Sequence, residues 1–193
     1  MKGRLLVSMT GASGAGYGYE LLRALQPSRG PSGFRVVLTC NERALSILEE
    51  ERGIGGDELR GLVDEMVFDS GMEHELASGS NSFDAMIICP CSSSTASKIR
   101  AGIADNLTTR CASVAMKERR RLVLVVRETP LSTPVLGALY DLSKWGVVIM
   151  PASPPFYGLK DPTGEELQRN LAGRIMDIVG LENDITSRYR PGE

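Results

Sequence analysis

Apolar positions along the chain fall in short, nearly uninterrupted runs at residues 5–9, 34–39, 85–89, 122–126 and 147–150, rich in Val, Ile and Leu. Runs without polar alternation suit strands covered on both faces, as in a parallel sheet. The segments between them have helical length: 17–26, 42–52, 93–102 with a continuation toward Lys117, and 134–145. A last helix spans 164–179, where Leu167, Leu171, Ile175 and Ile178 share one face. Strand–helix alternation from end to end predicts the α/β class, as a doubly wound parallel sheet of Rossmann-like or flavodoxin-like type. One domain is expected over 1–193, with a C-terminal helix and tail at about 163–193. Residues 27–33 and 53–56 read as turn-rich connectors, and 69–82 as a loop long enough to carry a role.

Composition narrows the function classes. A chain of 193 residues buries roughly 70% of its unfolded surface and needs no disulfide or metal staple. A formal charge of −2 argues against bulk attraction to nucleic acid or a membrane surface. That average hides an asymmetry: residues 41–84 carry twelve acids and three bases, whereas 98–127 carry eight bases and two acids. A local positive surface inside a mildly acidic protein suits a small phosphorylated ligand. Cys40, Cys89, Cys91 and Cys111 lack the paired spacing of a structural zinc site, so no metal is expected. With neither a signal-peptide pattern nor a membrane-length apolar run, the chain is expected to be cytoplasmic.

Ligands of open α/β sheets bind outside the carboxyl ends of the strands. The first apolar run leads into Thr10-Gly11-Ala12-Ser13-Gly14-Ala15-Gly16, where glycines let the backbone close on a ligand and a helix start attracts negative charge. This opening also resembles that of the dinucleotide-binding dehydrogenases, and Tyr140 and Lys144 supply a Y-x-x-x-K spacing. The second run, however, ends in Thr39-Cys40-Asn41 and lacks the acid that binds a ribose. The third run leads into Cys89-Pro90-Cys91-Ser92-Ser93-Ser94-Thr95. Proline is expected to stop that strand, and the cysteines are expected to be buried packing groups. Four hydroxyls in a row exceed what capping one helix needs; they suit an oxygen-rich ligand, such as a phosphate or a flavin pyrimidine edge. Arg127-Glu128 after the fourth run are costly to bury unless paired or bound to a ligand. The loop 151–157 after the fifth run aims an aromatic and a hydroxyl.

Taken together, these motifs resemble the UbiX flavin prenyltransferases, within the wider flavoprotein class that includes cysteine decarboxylases. The resemblance is carried by residues 10–15, Ser78-Gly79-Ser80, Cys89-Pro90-Cys91-Ser92, Asn106-Leu107 with Arg110, and Met116-Lys117-Glu118-Arg119-Arg120. Further on it continues through 122–130, Ile149-Met150-Pro151 and Pro155-Phe156-Tyr157. It implies transfer of a dimethylallyl group from dimethylallyl phosphate to N5 and C6 of reduced FMN, without a metal. The product, prenylated FMN, would serve a partner UbiD-type decarboxylase.

The same resemblance implies the site. Gly11, Ala12, Ser13, Ser92, Ser93, Ser94, Thr95 and Arg110 would hold FMN, together with Thr39 or Cys40, where the correspondence slips by one residue. Ser13 and a helix acid, Glu49 or Glu50, would take part in the chemistry with Lys117, Arg127 and Glu128. Lys117, Arg127, Glu128, Tyr157 and Arg174 would form the dimethylallyl phosphate pocket, and Tyr189 stands where the family often has Trp. Family members assemble as dodecamers with sites at subunit contacts, so a homo-oligomer is expected. Two alternatives share the scaffold: an FMN-dependent redox or decarboxylating enzyme, and a non-catalytic flavin carrier. The cysteine decarboxylases use a His near the first strands, whereas the only histidine here is His74, expected to be an exposed loop residue. Trp145 is expected to lie in the core.

Overall fold

The computed structural model describes residues 3–29, 33–81, 83–186 and 188. Six strands form one parallel sheet: β1 (Arg4–Met9), β2 (Arg35–Cys40), β3 (Glu65–Phe68), β4 (Ala85–Cys91), β5 (Arg121–Val126) and β6 (Val148–Pro151). Their order is β3-β2-β1-β4-β5-β6. The chain thus winds outward from β1 to β3, returns to pair β4 against the other side of β1, and winds outward again. The place where direction reverses, between β1 and β4, is where such sheets open a crevice at their carboxyl edge.

Among the described residues, seven α-helices cover the sheet: α1 (Ala15–Leu25), α2 (Glu42–Arg52), α3 (Gly56–Gly61), α4 (Ser93–Arg100), α5 (Leu107–Lys117), α6 (Thr133–Lys144) and α7 (Gly164–Ile178). Alternate strand residues serve opposite faces. Leu5, Val7, Met9, Val36 and Leu38 pack with α1, α2 and α7, including Leu171 and Ile175. Leu6, Val37, Met86, Ile88 and Leu124 pack with α4, α5 and α6. Both faces are therefore dry, which is why the strands read as continuous apolar runs rather than alternating ones.

The sequence pattern missed β3 for a physical reason. It is a four-residue edge strand whose side chains are only half buried, and it opens with a glutamate, so no apolar run announces it. The expected long helix after β4 is two helices, because Asn106 caps α5 in a reciprocal box with Thr109. Nor does proline end β4. The Cys89–Pro90 bond is cis, and pairing resumes at Cys91 opposite Val126 after a register shift. The α-helix α3 lies beyond a connector read only as a turn. Parts of the 27–33 connector and of the C-terminal tail, Tyr189 among them, lie outside the described residues.

α1 lies against the sheet so closely that a β-carbon on Gly18 would collide with the Cys89 carbonyl oxygen and come within 3.0 Å of Met9. Gly137, in contrast, sits in the exposed face of α6 with nothing within 4 Å of the same position. Gly18→Ala is expected to destabilise by about 1–3 kcal/mol through overpacking. Gly137→Ala is expected to stabilise by up to about 1 kcal/mol through helix propensity. Urea denaturation of the two variants checks both signs.

Candidate functional site

Thr10, immediately after β1, joins the two strands that part company at the crevice. Its hydroxyl donates to the Pro90 carbonyl at 2.9 Å and accepts from the Ser92 amide at 2.8 Å. Its own amide donates to the same carbonyl at 3.2 Å. One buried side chain thus fixes the Ser13 loop beside the hydroxyl row that opens α4.

The Ser13–Gly14 peptide is held from both sides. Arg127 Nε, just beyond β5, donates to the Ser13 carbonyl at 2.8 Å. The Glu51 carboxylate accepts from the amides of Gly14 and Ala15, each contact at 2.9 Å. Gly14 has φ +85°, a conformation glycine tolerates without penalty. α1 has no side-chain cap of its own and no acid in its first turn, so Glu51 neutralises its positive end from another helix. The start of α1 is therefore not the open anion site its glycines suggested. The acid that reaches this loop is neither Glu49, which is exposed, nor Glu50, which faces Arg43 at 3.7 Å. Three consecutive glutamates in an exposed stretch gave no signal to separate them. Ser13 is exposed, and its hydroxyl has no partner among the described residues. Arg127 likewise forms no ion pair among them.

At the start of α4, the Ser92 hydroxyl caps the Thr95 amide at 3.2 Å and exchanges hydrogen bonds with Ser94 and Thr95 at 3.1 and 2.9 Å. Ser93 donates to Glu128 Oε2 at 2.9 Å, and the Thr129 amide reaches the other oxygen at 3.2 Å. Arg127 and Glu128 are thus separately engaged across the crevice and do not pair with each other. Gly11 and Ala12 line the adjoining loop, the first exposed and the second buried.

The side chains of the second strand lie elsewhere than expected. Thr39 and Cys40 are both fully buried, so neither offers a ligand its side chain. Thr39 belongs to a line of hydroxyls running beneath the sheet: Ser8 at 2.5 Å, Thr39 to Thr108 at 3.0 Å, and Thr108 donating to Asp69 Oδ1 at 2.5 Å. Burial pushes the Asp69 carboxyl group above the usual carboxylate range, and hydrogen bonds from Thr108 and the Asn41 side chain oppose it only in part. The second oxygen of Asp69, Oδ2, is buried as well, out of reach of solvent. Asp69 was missed because a lone acid at the head of a loop looks like any solvated turn residue.

The remaining expected residues do not converge on this crevice within one copy of the chain. Lys117 ends α5, near the amino end of β5, whereas Arg127 follows its carboxyl end. Lys117 pairs with Glu118 at 2.8 Å, and both side chains lie against Gly79. Arg110, two turns earlier on α5, donates to the Ala77 carbonyl at 2.9 Å. Arg174 pairs with Asp177 at 2.5 Å on α7. The loop bearing exposed Tyr157 approaches the same helix, where Asn170 donates to the Pro155 carbonyl at 3.4 Å. Two further expectations are corrected. The His74 side chain is only 17% exposed, lying 3.0 Å from Glu65 and capping a short turn at the Leu76 amide. Trp145, expected in the core, is 52% exposed. Tyr140 and Lys144 are a surface pair on α6, with the ammonium 5.3 Å from the ring.

Beside Gly11 lies a cavity of about 470 Å³ lined by Asn41, Glu42, Arg43, Phe68, Asp69 and Ser70. The carboxyl edge as a whole thus offers a hydroxyl row at a helix start, an uncompensated arginine and an unpartnered serine hydroxyl. This donor and acceptor set fits an anionic ligand carrying a polar ring. No cluster of three metal-ligating side chains exists among the described residues, nor any helix long and apolar enough to cross a membrane.

Comparison with known proteins agrees with this architecture. Residues 1–153 match the family model described as Flavoprotein. The chain is 42% identical to the flavin prenyltransferase UbiX of Methanothermobacter thermautotrophicus, over 96% of this chain and 94% of that protein. It superposes on AnUbiX (PadA1), solved with FMN and dimethylallyl pyrophosphate, with a TM-score of 0.93 at 35% identity and full coverage of both chains. A dodecameric FMN-dependent Ubix-like decarboxylase from Escherichia coli O157:H7 gives 0.91 at 36% identity, covering 97% and 99%.

The four cysteines are free and buried. Desolvation pushes the thiols of Cys40, Cys91 and Cys111 up to about 12, and that of Cys89 higher still. Since the thiolate is the reactive form, the native protein at pH 8 is expected to show no fast-reacting thiol toward a colorimetric disulfide reagent. All four are expected to react after denaturation. A fast equivalent in the native state would contradict this packing.

Proposed function

The chain belongs to the UbiX flavin prenyltransferases of the flavoprotein family, and on that premise we propose that it transfers a dimethylallyl group from dimethylallyl phosphate to reduced FMN. Bound reduced FMN supplies electron-rich N5 and C6 positions that accept the prenyl group with loss of phosphate. The product, prenylated FMN, is released to a UbiD-type decarboxylase. The observation that carries this reading is the crevice itself, where Ser13, the hydroxyls 92–95 and Arg127 surround the reversal point of the sheet.

Within that reading, Ser92, Ser93, Ser94 and Thr95 hold the flavin phosphate at the start of α4, where hydroxyls and helix dipole act together. Gly11, Ala12 and Ser13 lie along the ring, and Ser13, with an unspent hydroxyl, serves the reacting edge. Glu51 keeps that loop in register through its contacts to Gly14 and Ala15. Breaking the allylic C–O bond builds charge on the departing phosphate, and fixed cations placed where that charge grows lower the barrier. Arg127 is such a cation. Lys117, Arg174 and Tyr157 are the other groups that would meet the phosphate, and their separation in one copy favours a site completed between copies. A homo-oligomer is therefore part of the proposal, with Lys117, Arg110 and the 157–174 edge supplied by neighbouring subunits.

The decisive experiment is anaerobic incubation of the protein with FMN, a reductant and dimethylallyl phosphate, followed by mass analysis of the extracted flavin. A flavin heavier by one prenyl unit is expected, reduced at least about a hundredfold by Arg127→Ala or Lys117→Ala. Unchanged flavin mass despite FMN binding would overturn the transferase reading. Mixing the two inactive variants under subunit exchange is expected to restore part of the activity, because some sites then draw Arg127 and Lys117 from intact copies. Failure of the mixture to recover would overturn the shared site.

A further inference from the structure

One carboxylate on α7 serves two arginines. Asp177 Oδ2 accepts from Arg174 Nη1 at 2.5 Å. Arg188 grips both oxygens, Nη2 to Oδ1 at 3.0 Å and Nη1 to Oδ2 at 3.3 Å. The Asn183 side-chain amide completes the set by donating to Oδ1 at 3.0 Å. Burial pushes the Asp177 carboxyl group up, yet hydrogen bonds and charge from Arg188 and Arg174 hold it below the usual range. It is therefore an anion at neutral pH.

The segment that brings Arg188 here is built onto α7. Asn183 also donates to the Gly173 carbonyl at 3.1 Å, and its oxygen accepts from the amides of Ile185 and Thr186 at 3.2 and 3.3 Å. The Thr186 hydroxyl reaches the Asn170 carbonyl at 3.3 Å. Gly173 permits this approach, because a β-carbon there would stand 2.1 Å from Thr186 Oγ1 and 2.7 Å from Asn183 Oδ1. Asp177 is thus fixed mainly from beyond the end of the helix, by groups that do not depend on Arg174.

Arg174, next to Gly173, gains both orientation and charge from this arrangement. Its side chain is 45% exposed, and a long exposed side chain otherwise samples many rotamers. Asp177 takes only the Nη1 corner of the guanidinium, which leaves the rest of the planar fork, now fixed in direction, to a second anion. One carboxylate between two guanidinium groups also leaves the cluster net positive, whereas an isolated Asp177–Arg174 pair would be neutral and a poor phosphate site.

Resting on the phosphate role of Arg174 proposed above, we propose that Asp177 is a positioning residue for prenyl transfer. It aims the Arg174 guanidinium at the phosphate of dimethylallyl phosphate, while Arg188 keeps the pair cationic and stops Asp177 from taking the whole fork.

The test is equilibrium binding of dimethylallyl phosphate to the protein loaded with oxidised FMN, which lacks the electron-rich positions that accept the prenyl group, measured by titration calorimetry. Asp177→Asn is expected to weaken binding of the phosphate ester about fivefold, with FMN affinity unchanged. The sign is decisive, because by Coulomb attraction alone removing a negative charge beside an anion site tightens binding. Arg188→Gln is expected to weaken binding by about the same factor, and Arg188→Lys, which restores the charge, to recover most of it. In an Arg174→Ala background Asp177→Asn is expected to add nothing, since its effect runs through Arg174. Equal or tighter binding by Asp177→Asn overturns the proposal, as does a loss of the same size in the Arg174→Ala background. Should Asp177→Asn not fold, Arg188→Gln carries the test, and unchanged affinity there overturns the proposal too. If FMN binds but Arg174→Ala holds the ester as tightly as the wild type, the phosphate role of Arg174 fails and the positioning role falls with it. If FMN does not bind, the flavin reading itself fails.

Discussion

A single threonine hydroxyl holds together the part of the molecule where the sheet changes direction. β1 and β4 pair along their length, but their chains leave in opposite directions, and a parallel ladder fixes nothing beyond the ends of its strands. Thr10 Oγ1 supplies that constraint by donating to Pro90 and accepting from Ser92. Losing the hydroxyl would leave the Ser92 amide without its acceptor and the Pro90 carbonyl with the Thr10 amide alone. The positions of Ser13 and of the hydroxyl row are set relative to each other by this bridge, and the crevice exists because of it.

Around the bridge, charge is distributed so that the carboxyl edge has a direction. Glu51 closes the positive end of α1, while the start of α4 keeps its hydroxyls and faces Arg127 across the crevice. Glu128 engages Ser93 and orders that start without pairing with Arg127. An anion entering the crevice thus meets a carboxylate on the β1–β2 side and an uncompensated guanidinium on the β5 side.

The cations outside the crevice have a different logic. Lys117 and Arg110 lie along α5 over the 77–79 loop, and Arg174 stands on α7 beside Asp177. Burial pushes Asp177 up, but hydrogen bonds from Arg188 and Arg174 more than offset it and keep its carboxyl group below the usual range. These groups sit on outward surfaces of one copy, whereas Arg127 points into the crevice. A lone chain separates the charges that phosphate departure needs, and assembly is the means by which they would meet.

The parallel doubly wound sheet was legible in the residues alone, because strands buried on both faces leave continuous apolar runs separated by segments of helical length. The carboxyl edge was marked as the place of function too, through hydroxyls and charges at the ends of those runs. Nothing in the residue order could reveal β3, whose half-buried edge position leaves no apolar run, nor choose among Glu49, Glu50 and Glu51, which differ only in where an exposed helix turns them. Thr39 looked like a ligand contact and is a buried strut, since hydrogen bonding across β1, β2 and α5 depends on partners 31 and 69 residues away. The grouping of Lys117 with Arg127 failed within one copy for the same reason: ten residues apart in sequence, they bracket a strand and come out at its opposite ends. Periodicity is a local property of the chain and could be read directly, while the partner of a polar side chain is fixed only when distant elements pack.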